Sequence, residues 1–274
     1  MQAESLLAAL ALEPLEENLY RGPRTRSRFL FGGLVAAQAL RAAAWTVPSE
    51  RLPNSLHGYF LRRGSAERPI VYQVDRDRDG RNFSSRRVVA IQGGEVLLNA
   101  AMSFQVPTDA PTLDSPIPDD RPAEAMPIRK DLFVGPREFF EVRSDFEAGA
   151  PDRFWVRSRS PIGPDATLQS CALAYVTDLS SGFGRPEHAH LGWARSSLDH
   201  AIWFHDGVSV DDWLLVDMRP IRASHQRGTY HGTVHAEDRR MGCTFAQEIM
   251  LLDRSLAPER LRNPQGGGSK NGSE

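Results

Sequence analysis

Cysteine is scarce in this 274-residue chain, with Cys171 and Cys243 the only two. Two thiols build no disulfide framework, and without a CxxC spacing they offer no zinc site. Lysine is equally rare: Lys130 and Lys270 stand among 33 basic residues, so arginine carries the positive charge. Guanidinium forks suit phosphate oxygens, but coding bias produces the same composition. Charge of one sign is missing too. The chain has 35 acidic residues and a net charge of −2, which withholds the basic footprint of a nucleic-acid binder. No apolar run nears the ~18 residues of a membrane span. The run Leu6 to Leu12 is flanked by Glu4, Glu13, Glu16 and Glu17 with no basic segment ahead of it, unlike a secretory leader. The final Gly272-Ser273-Glu274 matches no peroxisomal or retention signal. The expectation is a soluble cytoplasmic protein with no nucleic-acid partner and no membrane span.

What is present is a globular balance, 41% hydrophobic and 25% charged residues. At roughly 150 residues per domain, the length predicts two units. The break falls between Val106 and Pro127, which holds Pro107, Pro111, Pro116, Pro118, Pro122 and Pro127 with five acids interleaved. Proline removes donors and acids resist burial, so an extended solvated linker is expected. The predicted division is 1–106, a linker over 107–127, a second unit over 128–262 and a disordered tail over 263–274.

Each unit carries the same order of signals. A helical run from Leu34 to Trp45 follows Gly32-Gly33. A second, from about Ala166 to Leu179, has Asp165 as its N-cap. Strand-like runs follow: 70–74, 84–91 and 96–106 in the first half, then 201–205, 213–218, 228–235 and 243–252 in the second. Gly93-Gly94 and Glu237-Asp238 fit hairpin turns. Ser55 and Ser197 are 142 apart, as are Gln105 and Gln247, which suggests duplication at a constant offset. A helix followed by antiparallel strands buries its apolar surface when the sheet curls around it, and two such units side by side protect their edges.

Familiar catalytic templates fail. There is no GxSxG elbow and no GxxxxGK[ST] loop, and Gly182-Phe183-Gly184 reaches Glu187 where a dinucleotide fingerprint needs glycine. His188 and His190 form an HxH, and His231 and His235 lie four apart on a strand, but no acid or cysteine completes a ligand set, so no metal is expected. Three polar residues stand out. Asp178 ends an apolar helix, where negative charge is disfavoured. Ser197 heads the run Leu198 to His205, and Gln247 interrupts an apolar strand. A solvated helix end, a polar strand start and a solvent-face strand residue are the plainer alternatives.

Several ordered blocks resemble one family: Phe31 to Leu40, Leu56 to Arg62, Arg78 to Val88, Ala172 to Asp178, Ser197 to His205, and Gln247-Glu248. From about Asn18 to Leu252 the chain resembles the type II acyl-CoA thioesterases. The resemblance implies an α+β double hotdog, two tandem units each an antiparallel sheet wrapped around a central helix. It implies hydrolysis of fatty acyl-CoA by a water held by Asp178, Ser197 and Gln247, with no cofactor. A homo-oligomer, dimer or tetramer, is expected. Arg62, Arg86 and Arg87 are candidates for CoA phosphates, beside the plainer reading of a charged strand face with Asp75, Asp77 and Asp79 interleaved. The 142 offset puts Ala36 opposite Asp178, so one catalytic centre per chain is expected. Two alternatives remain: an enoyl-thioester hydratase or dehydratase using His57 or His200 with an acid, and a non-catalytic acyl-CoA-binding protein.

Overall fold

The computed structural model describes residues 2–25, 30–113, 121–129, 139–146 and 151–252. The first unit runs β1 (Gln2–Ala3), α1 (Leu6–Ala9), β2 (Glu13–Glu16), β3 (Leu19–Arg21), β4 (Arg24–Thr25), α2 (Gly32–Ala44), β5 (Leu52–Phe60), β6 (Val71–Asp79), β7 (Phe83–Gln92) and β8 (Glu95–Gln105). The second runs β9 (Phe140–Arg143), β10 (Arg153–Ser158), α3 (Ala166–Val176), β11 (Trp193–Ser197), β12 (Asp199–Phe204), β13 (Leu214–Ser224), β14 (Arg227–Ala236) and β15 (Met241–Leu252). The expected tail, 263–274, lies outside the described residues.

Alanine and glycine dominate α2, and nearly all its residues are buried. Small side chains let the sheet and α3 approach it closely, so α2 is a central helix. Its one buried polar side chain is satisfied: Gln38 Nε2 donates to Ala9 O at 2.6 Å, and Tyr72 OH donates to Gln38 Oε1 at 2.6 Å. The helix α3 is likewise buried from Cys171 to Val176, and the Asp165 carboxylate caps it by accepting from Leu168 N. It ends at Val176, with Thr177 at the C-cap and its hydroxyl donating back to Ala174 O.

One 13-stranded sheet wraps both helices, in the order β2-β3-β6-β7-β8-β5-β12-β15-β14-β13-β10-β9, with β11 on β15. The units meet at the antiparallel pair β5–β12, where Leu56 faces Ile202. Two strand edges that would otherwise be open thereby close each other. The architecture is the double hotdog.

The repeat is real but its spacing is not constant. Thr46 Oγ1 bonds Ala43 O just beyond α2, as Thr177 Oγ1 bonds Ala174 O just beyond α3. That match puts Val47, not Ala36, opposite Asp178. The hairpins β7–β8 and β14–β15 each carry a bulge near the turn, after Ala90 and after Val234. Counted from those bulges, Arg86 faces Met102 where Tyr230 faces Gln247. Ser55 and Gln105 are therefore not the counterparts of Ser197 and Gln247. The connection 177–192 is longer than its equivalent 45–51, so the offset changes between helix and strands.

The end of the linker is docked rather than solvated. Ala123 and Met126 are buried in a cluster with Trp155, Trp213 and Leu215, and Trp155 Nε1 donates to Arg121 O at 2.9 Å. Leu113 remains 98% exposed, as an extended linker requires.

Candidate active site

Asp178 lies two residues past the end of α3, at the junction of the units. Its side chain sits deep between elements yet keeps partial solvent contact. Three donors converge on it. Ser197 Oγ donates to Oδ1 at 2.9 Å, Gln247 Nε2 donates to Oδ1 at 2.7 Å, and Gly33 N donates to Oδ2 at 2.7 Å. The carboxylate is thus near the negative end of its own helix and against the positive end of α2. Burial raises its pKa above the ordinary aspartate value, while the bonds from Gln247, Ser197 and Gly33 pull the other way.

The sheet presents the other two side chains. Gln247 is 1% exposed on the inner face of β15, not the solvent face. Ser197 closes β11 instead of heading β12. The Asp199 carboxylate accepts from Glu248 N at 2.7 Å, and Leu198 N bonds Glu248 O at 2.8 Å, which sets the corner between those strands. The phenol of Tyr230 donates to Gln247 Oε1.

Gly33 belongs to the first unit, 145 positions from Asp178. A Cβ at Gly33 would meet Tyr175 O at 2.8 Å and Asp178 Cβ at 2.9 Å. The Gly32-Gly33 pair ahead of a helix was a visible signal, but its contact partner was not. Tyr230 had no sequence signal beyond being an aromatic in a strand.

Other candidates fall elsewhere. Arg86 is fully buried, so its guanidinium does not reach a CoA phosphate. It bonds Asp79, Thr46 Oγ1 and Thr46 O at the C-terminal end of α2, and a helix of this length sets that end ~20 Å from Gly33. Arg87 is exposed and paired with Asp75 and Asp77. Arg62 is exposed and paired with Glu95. It follows Phe60, whose ring lies 3.2 Å from where a Gly32 Cβ would stand.

The bulge after Val234 breaks the strand alternation, so His231 is exposed and His235 buried. They do not share a face. His57 stacks edge-on with Trp203 (centroids 5.0 Å) on the exposed side of the sheet. His200 is buried, its ring nitrogens have no partner among the described residues, and burial pushes its pKa down to about 3. Among the described residues neither histidine is paired with an acid as a hydratase would need. Cys171 is buried and pushed up to about 12, which keeps it a thiol.

A cavity of ≈ 710 Å³ opens beside Pro53 and the N-terminus of α3, at the opposite end of that helix from Asp178, and none of Asp178, Ser197 or Gln247 lines it. Its rim includes Asp206, Asp212, Glu237 and Asp238. Arg240, paired with Asp238, lines it too, and the remaining excess of acid disfavours a phosphate there.

The fold and this carboxylate-centred junction define a double-hotdog protein with one polar site between its units. Comparison with known proteins narrows the class. Residues 20–105 match the acyl-CoA thioesterase N-terminal domain, and residues 107–251 match the acyl-CoA thioesterase C-terminal domain. The chain is 32% identical to acyl-coenzyme A thioesterase 8 of Homo sapiens, over 88% of this chain and 87% of that protein. It is 30% identical to acyl-CoA thioesterase 2 of Haemophilus influenzae, over 90% and 96%. The crystal structure of acyl-CoA thioesterase II TesB2 from Mycobacterium marinum superposes with a TM-score of 0.78 at 33% identity, covering 92% of this chain and 99% of that one. The chain belongs to the acyl-CoA thioesterase II family.

Proposed function

We propose that this thioester hydrolase cleaves acyl-CoA with a water activated at Asp178. The carrying observation is that Ser197 and Gln247 converge on one carboxylate oxygen of Asp178 while Gly33 holds the other. A carboxylate has about four acceptor sites, and these three bonds leave room for one proton from a water. The second N–H of Gln247 and the lone pairs of Ser197 Oγ orient that water. Its oxygen attacks the thioester carbonyl carbon, its proton passes to Asp178, and the C–S bond breaks. The departing thiolate, with a conjugate pKa near ~8.5, takes the proton. A raised carboxylate pKa makes the stronger base, provided the group is ionised at working pH.

Arg62, close beyond Phe60, is the arginine this reading keeps for the CoA phosphates. The units divide at 1–106 and 128–262 in the same reading, with 107–127 as the connection.

The test is thiol release from a panel of straight-chain acyl-CoAs by the wild type and Asp178→Asn. The wild type should release CoA, and the variant should lose about 100- to 10,000-fold of that rate. Binding without release in the wild type would turn the reading towards an acyl-CoA carrier.

A further inference from the structure

We infer that Tyr230 is a positioning residue of the hydrolytic site, acting through Gln247. The inference rests on the reading of Asp178, Ser197 and Gln247 given above.

A glutamine amide has two orientations of nearly the same shape, related by a half-turn about its last bond. In one, Nε2 faces Asp178 and donates to it. In the other, Oε1 faces Asp178 and two acceptors meet. The structure has the first, with Nε2 at 2.7 Å from Asp178 Oδ1. That choice turns Oε1 away into a site where Gln247 is 1% exposed. An acceptor buried there without a donor is costly. The Tyr230 hydroxyl supplies the donor.

Tyr230 suits this task. It is fully buried, and burial together with the nearby Asp178 and Asp199 charges keeps its pKa well above the ordinary tyrosine value. It stays a neutral donor at any pH the enzyme meets. Its ring is wedged edge-on between Phe183 and Phe245, at 6.4 and 6.3 Å between centroids. Gly182 makes the space, since a Cβ there would meet Tyr230 Cβ at 2.7 Å. The hydroxyl also lies 3.3 Å from Ser180 O, a second and longer acceptor that competes for its single proton. The first unit lacks the device. At the matching rung Arg86 faces Met102, and Arg86 is spent on Asp79 and Thr46.

The experiment measures kcat, KM and the pH profile of octanoyl-CoA hydrolysis, by thiol release, for Tyr230→Phe, Gln247→Ala and the double variant. Phenylalanine keeps the ring contacts, so the fold survives; thermal melting checks this. Tyr230→Phe should lower kcat about tenfold with KM within about twofold. The acid limb should move to higher pH, because a carboxylate that loses a reliably held donor is harder to ionise. The double variant should be no slower than Gln247→Ala, since Tyr230 has nothing to act through once the amide is gone. Wild-type kcat and an unmoved acid limb in Tyr230→Phe, or losses that multiply in the double variant, overturn the inference. Asp178→Asn run alongside separates the two readings. Undiminished release there overturns the hydrolytic site and the Tyr230 role together. Loss there with no effect in Tyr230→Phe overturns the Tyr230 role alone.

Discussion

Asp178 shows how burying a single side chain trades stability for basicity. Burial lifts its pKa against three hydrogen bonds that lower it. The folded state therefore holds its proton to higher pH than the unfolded chain does. The contribution of this group to stability is full below the unfolded value and is lost as pH rises through the folded one. Near neutrality the ionised carboxylate is a cost, so Asp178→Asn should melt no lower than the wild type at pH 7.5 while losing thiol release. A drop of many degrees would show that the charge itself holds the junction. The same pKa sets the activity profile: kcat/KM should fall on acidification with a midpoint above the ordinary aspartate range. Ser197 contributes one neutral donor, so Ser197→Ala should cost about tenfold in kcat, a smaller loss than at Asp178. The residue types at these positions were legible in the sequence through the family resemblance. That Gln247 points inward was not, because strand alternation identifies a shared face but not which face the core takes.

At the scale of elements, the first turn of α2 holds one side of the Asp178 carboxylate. Its N-terminus has no side-chain cap of its own, and Phe31 at the N-cap makes no such bond. The cap comes from the other unit as the Asp178 carboxylate. Gly33→Ala would drive a methyl against Tyr175 O and Asp178 Cβ, neither of which can move freely. We expect about 1–3 kcal/mol of destabilisation from overpacking, read by urea denaturation, together with at least a tenfold loss of kcat. A variant as stable and active as the wild type would remove Gly33 from the site. The helices α2 and α3 were read within a few residues because apolar periodicity and the Asp165 cap are local signals, whereas the short α1 was not read. The strand β5 was not read as one, since Pro53 and Gly58 disguise it. Both are tolerated because its partners β8 and β12 supply the register.

Over the whole molecule, two similar frames meet at the carboxylate-centred junction. The second unit supplies Asp178, Ser197 and Gln247. The first supplies Gly33, and in it Val47, Arg86 and Met102 stand at the positions that match Asp178, Tyr230 and Gln247. A non-hydrolysable acyl-CoA analogue should bind with one site per chain in calorimetry, and two equivalent sites would contradict this asymmetry. Arg86→Met should lower stability by about 2–4 kcal/mol, because Thr46 O and Oγ1 lose a buried partner, while leaving kcat near wild type. Composition, the proline-rich break and helix periodicity follow from local chemistry, so the sequence alone determined two units of helix and sheet. The amino acids of the Asp178, Ser197 and Gln247 cluster were also written there. Where they meet was decided only by tertiary structure. The β5–β12 seam brings the start of one helix to the end of another, and the unequal connections after α2 and α3 shift the repeat so that no constant spacing predicts the match. A contact 145 positions long depends on how an entire sheet curls, and no local pattern encodes that.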